Sequence, residues 1–230
     1  MSAGAESIEE RIAAVHERIA RAARAAGRDP RGIRLVAVSK KKSTEAIREA
    51  HAAGQRAFGE NYAQELAGKA EALAGLEGIE WHFIGHLQTN KARVVARWAH
   101  VVHTVDSPAL ARELAKRAAL SGRAPLPVFI EVNVGGEPQK AGAPPSEIDD
   151  VIAAVGAEAG LVLRGLMAIP PAGGGDVASR AFSTLASLRS LHGGPAVLPE
   201  LSMGMSDDLE VAIACGATSV RVGTAIFGSR

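Results

Sequence analysis

The chain has 230 residues and is 47% hydrophobic, so it can bury one large core, and we expect a single domain over residues 1–230. Its 26 basic and 25 acidic residues nearly cancel, which excludes a global charge that would attract nucleic acid or an anionic membrane. One cysteine excludes an internal disulfide and favours a reducing compartment.

The N-terminal segment is predicted to form an amphipathic helix docked on the outside of the domain. We interpret its arginines, including Arg18, as a solvated face. The segment has no apolar run of the signal-peptide kind, and nothing later is long and apolar enough to span a bilayer, so we expect a cytoplasmic protein. The apolar residues that recur at helical spacing are Ile8, Ile12, Val15 and Ile19.

Short β-rich runs then alternate with helical patterns, as in the βα units of a parallel sheet. About eight strand candidates are present, the number that closes a (β/α)₈ barrel. The sequence therefore predicts an α/β fold, a single TIM-type barrel with an extra N-terminal helix. The helical patterns begin near Ser43, Asn61, Thr89, Ser107, Ser146, Asp176 and Asp207. The strand candidates are residues 33–39, 57–59, 79–85, 101–105, 128–134, 163–169, 200–204 and 219–223.

Lys40 follows the first strand candidate directly. Period-two alternation places it on the same face as Val36 and Val38, which we expect to point into the barrel mouth. The active face of such a barrel lies at the carboxyl ends of its strands. Partial burial and the adjacent Lys41 and Lys42 favour the neutral amine that imine formation requires. The alternative is that the three lysines form a solvated charge run on a loop.

Residues 220–228 are predicted to run from the last strand into a short helix, where barrels commonly bind phosphate. Gly223 permits close approach of the backbone, and the Thr224 hydroxyl can donate a hydrogen bond. The preceding loop offers Ser206 as a second donor. Alternatively, both hydroxyls only cap their helices. Because the sequence ends shortly after this segment, we expect no second domain.

Arg221 alternates with Gly223 and is predicted to face the barrel interior, where an unpaired guanidinium would be costly. Its partner is either a buried carboxylate such as Glu131 or the ring nitrogen of a bound cofactor. An arginine donor leaves a pyridine nitrogen unprotonated, so the ring would be a poor electron sink. His82 and His86 have no third ligand cluster, so we predict no metal site.

Seven motifs follow one another along nearly the whole chain. They are VAVSK at 36–40, FGENY at 58–62, WHFIG at 81–85, LQ at 87–88 with NK at 90–91, RGLMAIP at 164–170, MGMSDD at 203–208 and RVGTAIFG at 221–228. In this order they resemble the pyridoxal phosphate homeostasis proteins, whose fold is similar to the barrel domain of alanine racemase.

The resemblance implies that pyridoxal 5′-phosphate (PLP) is held on Lys40 as an internal aldimine. It implies that Arg221 meets the pyridine nitrogen and that Ser206, Gly223 and Thr224 hold the phosphate. The full set of residues expected to bind the cofactor is Lys40, Asn61, Met203, Ser206, Arg221, Gly223 and Thr224.

Family members are thought to buffer or deliver PLP and to influence amino-acid and keto-acid pools, so the resemblance implies a PLP-binding regulator. PLP-dependent apo-enzymes are its candidate partners, and we expect a monomer without catalytic turnover. Two alternatives remain open. One is a Schiff-base enzyme, such as a minor amino-acid racemase, although alanine racemase needs a second domain and a partner's tyrosine, and this chain has only Tyr62. The other is a phosphate-binding barrel in which Lys40 is purely electrostatic.

Overall fold

The structure, a computed structural model, describes residues 6–228. Its eight parallel strands pair in chain order, and the first pairs with the last to close a barrel. The expected domain, residues 1–230, extends beyond the described residues at both ends and stays a prediction there. The strands are β1 Arg34–Val38, β2 Ala57–Glu60, β3 Glu80–Phe83, β4 Val101–Val105, β5 Leu126–Glu131, β6 Leu161–Met167, β7 Glu200–Ser202 and β8 Ser219–Val222.

Helices surround the barrel and follow the strands in the expected alternation. Ser43 and Ser107 cap the helices that begin after them, as their position predicts. Within residues 6–228, no helix combines the length and the apolar character needed to cross a membrane. The helices are α1 Ile8–Ala25, α2 Thr44–Ala52, α3 Ala63–Ala72, α4 Ala92–Trp98, α5 Pro108–Leu120, α6 Ile148–Gly156, α7 Gly175–Leu191, α8 Gly194–Val197, α9 Leu209–Ala214 and α10 Thr224–Phe227.

The predicted N-terminal helix is present as α1, and it buries Ile12, Val15 and Ile19. It packs against α2, α9 and α10. Within the described residues, the helix that follows β8 is the four-residue α10, and α1 takes the eighth place in the ring of outer helices. The expected solvated arginine face is wrong for Arg18, which pairs with Glu210 at 2.8 Å and donates to the carbonyl oxygen of Ser206 at 2.9 Å.

Two strands are shifted toward the amino end relative to their predicted bounds, whereas the bounds of the other six match the prediction to within two residues. β5 and β6 begin two residues before the predicted positions 128 and 163, and they end at Glu131 and Met167. After β5 the backbone leaves the barrel, because the N–H of Asn133 donates to the carbonyl of Ala143 and that of Val134 to Val132. The predicted strand residues 132–134 therefore belong to a loop at the carboxyl-end mouth.

The outside of the barrel is apolar, whereas its inside carries polar side chains among apolar ones such as Val36 and Phe129. Outward-facing strand residues such as Leu35 and Ala37 pack with the helices in the main hydrophobic core. The inside holds buried polar side chains, including His82, His103 and Arg221. Because buried polar groups must find hydrogen-bond partners, the interior is expected to be a connected network.

Replacement of Gly165 by alanine should destabilise the barrel. Gly165 lies on β6 opposite Glu200 with a φ of 153°, and a Cβ there would fall 1.8 Å from the Glu200 carbonyl oxygen. The two strands would have to separate, so we expect Gly165→Ala to lower the free energy of unfolding by about 3 kcal/mol or more. Urea unfolding followed by circular dichroism measures this loss.

Gly156→Ala is the matched control, because a Cβ at Gly156, the last residue of α6, meets no atom within 4 Å. We expect this variant to be as stable as the wild type or more stable by up to about 1 kcal/mol. Similar unfolding midpoints for the two variants would contradict the strand-contact argument.

Candidate cofactor site

Lys40 lies in a tight turn, residues 39–42, that we call the lysine turn. The turn is closed by a hydrogen bond from the N–H of Lys42 to the carbonyl of Ser39, and Lys41 adopts a positive φ of 60°. Lys40 is half-buried, and within the described part of the chain its amine has no hydrogen-bond or ion-pair partner. The lysines do not form a uniform solvated run, because the Lys42 amine donates to the carbonyls of Phe227 and Gly228.

A buried ion network fixes this turn. Lys69, on α3, is 7% exposed, and its ammonium group donates to the carbonyl of Ser39, to Glu60 and to Glu65 at 2.6–2.8 Å. The Ser39 hydroxyl donates to the same Glu60 oxygen, and the N–H of Lys41 donates to Glu65. All three ammonium protons of Lys69 are thus used, and both flanks of Lys40 are tied to the network.

Arg221 lies inside the barrel on β8, opposite Val36 of β1, as predicted. Its guanidinium donates to the hydroxyl of Ser202 at 2.7 Å and to the carbonyl of Ala168 at 3.0 Å. The suggested ion pair with Glu131 is wrong as a direct contact, although Glu131 is close enough to act on Arg221 electrostatically. Burial lowers the pKa of Arg221 to about 10, so the group remains a cationic donor at neutral pH.

The two segments predicted to bind phosphate are the loop of Ser206, after β7, and the loop of Gly223 and Thr224, after β8. They meet at the carboxyl-end mouth. The Ser206 hydroxyl accepts a hydrogen bond from the N–H of Ala225, in α10, at 3.4 Å. Neither Ser206 nor Thr224 caps its own helix, because the N-cap positions are Asp208 and Gly223. A Cβ on Gly223 would lie 3.3 Å from the Cβ and the carbonyl oxygen of Val38, so a glycine allows the ends of β8 and β1 to approach.

Asn61 and Met203 occupy different environments. Asn61 follows β2, and its buried Oδ1 has no hydrogen-bond partner among residues 6–228. It lines a cavity of about 160 Å³ together with His86 and Leu87. The Met203 side chain is fully buried in the hydrophobic core, so only its backbone is expected to serve the cofactor. No group of three His, Cys, Asp or Glu side chains in the described residues could hold a metal ion.

The roles of Lys69, Glu60 and Ser202 are not evident from the sequence. Glu65 and Lys69 are four residues apart on a helix, a spacing that predicts an ion pair but not its burial against the lysine turn. Ser202 precedes the MGMSDD motif, and no local pattern indicates that it bonds to Arg221 across the barrel.

Comparison with known proteins finds relatives over nearly the whole chain. Residues 11–230 match the family model of the alanine racemase N-terminal domain. The pyridoxal phosphate homeostasis protein of Pseudomonas aeruginosa is 50% identical over 226 residues, which cover 97% of this chain and 96% of that protein. The protein of the same name from Escherichia coli K12 is 44% identical, and 95% of each chain is covered.

PipY of Synechococcus elongatus is a solved structure of the same fold. It is 38% identical, and the superposition covers 96% of this chain and 100% of PipY. The TM-score is 0.87 for PipY without PLP and 0.81 for PipY with PLP bound. These findings confirm the fold and the family that the seven motifs indicated. The chain belongs to the pyridoxal phosphate homeostasis protein family and, within it, to the alanine racemase N-terminal domain fold.

Proposed function

We propose that this chain binds PLP covalently through Lys40 and acts in cytoplasmic PLP homeostasis. It holds the reactive aldehyde, passes it to PLP-dependent apo-enzymes and thereby influences amino-acid and keto-acid pools. The observation that carries the proposal is the half-buried Lys40 amine, which has no partner among residues 6–228, at the carboxyl-end mouth of a barrel that is 38% identical to a PLP-bound relative. We propose that the protein acts as a monomer, which light scattering would test.

The residues of the site fit the chemical groups of PLP. The unpaired Lys40 amine suits the aldehyde, with which it forms a carbon–nitrogen double bond and releases water. Arg221 suits the ring nitrogen as a donor, and the unpaired Oδ1 of Asn61 suits the ring hydroxyl. The loops of Ser206 and Thr224 present donors where the phosphate would lie.

Arg221 favours binding over turnover. The cofactor, when bound, can stabilise a carbanion by drawing electrons into its ring, and this requires a protonated ring nitrogen. A cationic guanidinium donates to that nitrogen and supplies no proton to it. We infer that the chain's own residues hold the cofactor in a form with weak electron-withdrawing power.

One observation favours a second candidate function, a weak Schiff-base enzyme such as an amino-acid racemase. Burial raises the pKa of Glu131 to about 7, so this carboxyl group could exchange a proton near neutral pH. Incubation with a panel of amino acids in deuterium oxide tests the candidate. Exchange at the α-carbon that disappears in both Lys40→Ala and Glu131→Gln would favour it, and no exchange would remove it.

Lys40→Ala should abolish covalent PLP binding. Wild-type protein mixed with PLP should show an absorbance band near the visible edge, and borohydride should then fix a phosphopyridoxyl group on Lys40, located by peptide mass. Lys41→Gly removes the neighbouring amine while suiting the positive φ, so it should retain the adduct. Absence of an adduct in the wild type would mean that Lys40 is only electrostatic.

Delivery of PLP to apo-enzymes is tested separately from PLP binding. Loaded wild-type protein should activate a PLP-dependent apo-enzyme faster than the same amount of PLP released by free diffusion across a dialysis membrane. Equal rates of apo-enzyme activation would exclude delivery and would leave storage of PLP as the proposed function.

Glu65→Ala should weaken PLP binding by loosening the lysine turn. The variant removes the acceptor for the N–H of Lys41 but leaves the Lys69–Glu60 pair intact. A hydrogen bond to a charged group contributes about 1.5–3 kcal/mol, so we expect the dissociation constant to rise about tenfold or more. Glu71→Ala, an exposed change on the same helix, is the control, and equal constants for the two variants would contradict a positioning role.

Glu131→Gln should change how stability depends on pH. Because burial raises the pKa of Glu131 to about 7 in the folded protein, the folded state binds the proton more tightly than the unfolded state. Wild-type stability is therefore lost as pH rises from about 5 to about 8, whereas the amide does not titrate. Relative to wild type, we expect the free energy of unfolding of the cofactor-free variant to rise by about 1–3 kcal/mol between these two pH values.

Urea unfolding of the variant and the wild type at about pH 5 and about pH 8 measures this change in stability. Glu77→Gln, at an exposed position, is the control for the loss of one charge. A difference between Glu131→Gln and wild type that stays constant with pH would show that Glu131 does not carry the burial cost.

A further inference from the structure

A continuous row of polar side chains crosses the barrel interior. Arg221 Nη1 donates to Ser202 Oγ at 2.7 Å, and Ser202 Oγ lies 2.8 Å from His103 Nδ1. His103 Nε2 lies 2.9 Å from His82 Nδ1, and His82 Nε2 lies 3.6 Å from Glu80 Oε2 at the amino-end mouth. The serine, both histidines and the arginine are at most 4% exposed, so their hydrogen bonds must be made inside the barrel.

Burial favours the neutral form of both histidines. Burial lowers the pKa of His82, and burial, with smaller contributions from His82 and Arg221, lowers the pKa of His103 well below its usual value. A neutral imidazole has one N–H donor and one acceptor nitrogen. The tautomer of each ring is therefore set by the partners of its two nitrogens.

One arrangement of protons satisfies the three hydrogen bonds that run from Arg221 to His82, and it leaves the last proton, on His82 Nε2, without a hydrogen-bond acceptor among residues 6–228. Arg221 can only donate, so Ser202 accepts from it and donates its own proton to His103 Nδ1. His103 then carries its proton on Nε2 and donates to His82 Nδ1, which leaves the His82 proton on Nε2, facing Glu80. The reverse arrangement would leave the Ser202 proton without an acceptor among the described residues. It would also set a lone pair of His82 against the carboxylate.

Glu80 supplies the negative end of the row. Its pKa is lowered to about 2 by its interaction with His82 and by the charge of Arg34, which pairs with it at 2.5 Å. The 3.6 Å between His82 and Glu80 exceeds a direct hydrogen bond, so this last link is an electrostatic attraction. Glu80 and His82 line a cavity of about 240 Å³ at the amino-end mouth, on the face of the barrel opposite Lys40.

We propose that Ser202, His103 and His82 form a one-way hydrogen-bond relay that orients the Arg221 guanidinium and couples it to Glu80. The three are positioning residues that act through Arg221. The expected effect of this relay on PLP binding rests on the proposed function, whereas the proton positions on His82 and His103 do not depend on it.

The tautomers are measured in the cofactor-free protein by long-range ¹H–¹⁵N spectra at pH 7, after labelling with ¹⁵N-histidine. We expect both rings to be neutral with the proton on Nε2. His82→Gln and His103→Gln assign the signals by their loss. A proton on Nδ1, or a doubly protonated ring, at either position would overturn the relay.

The coupling is measured with Glu80→Gln and its matched control, Glu200→Gln. Both glutamates line the amino-end mouth and pair with an arginine, and the charges of both act on His82, but of the two only Glu80 has a carboxylate oxygen within 4 Å of a His82 nitrogen. We expect Glu80→Gln to shift the His103 signals and to weaken PLP binding about fivefold or more, and Glu200→Gln to stay within about twofold of wild type.

Equal effects of the two variants on the His103 signals would overturn the coupling to Glu80. If the wild type binds no PLP while the tautomers hold, the proposed function and the cofactor part of this inference both fail, and the proton arrangement stands. If PLP binds but the tautomers differ, only the relay fails.

Discussion

The pairing of β1 with β8 is the constraint on which the site depends. Val36 lies opposite Arg221, so the carboxyl ends of the first and last strands are adjacent. The lysine turn follows one strand and the loop of Gly223 follows the other, which brings segments that are far apart in the sequence to one mouth. A site divided between the first and the last strand exists only when the barrel is closed, so a ligand that binds there stabilises the folded state.

Charge balance inside the molecule imposes a second constraint. The buried ammonium of Lys69 and the buried guanidinium of Arg221 each lose their hydration, and each regains hydrogen bonds from a small set of fixed acceptors. A buried ion pair contributes little net stability, but loss of one partner is costly. These networks therefore specify the conformation of the lysine turn and of Arg221 more than they add to the free energy of folding.

The sequence predicts the parts of this arrangement that repeat along the chain. The alternation of strands and helices predicts the barrel, and period-two alternation predicts the inward direction of Arg221. The ends of β5 and β6 were predicted two or three residues too late, because apolar residues after Glu131 continue the strand pattern while the backbone turns to pair with Ala143. Contacts between distant strands, such as Ser202 with His103, leave no local signal, since each residue alone fits a buried strand. The cofactor roles of all seven predicted site residues stay predictions, namely those of Lys40, Asn61, Met203, Ser206, Arg221, Gly223 and Thr224.

In the proposed site, the two networks would act on opposite ends of PLP. The lysine turn holds the amine that is proposed both to form and to release the covalent bond, and reversibility requires that this amine stay accessible, as its half-buried state allows. Arg221 is held rigidly, by contrast, because its acceptors lie on two other strands or strand ends. In the proposed site, a fixed donor at the ring nitrogen would keep the ring unprotonated and would leave the covalent bond at Lys40 open to exchange with another amine. Strong electron withdrawal would instead commit a bound amino acid to chemistry at its α-carbon. The geometry of Arg221 thus favours holding and transfer of the cofactor over catalysis.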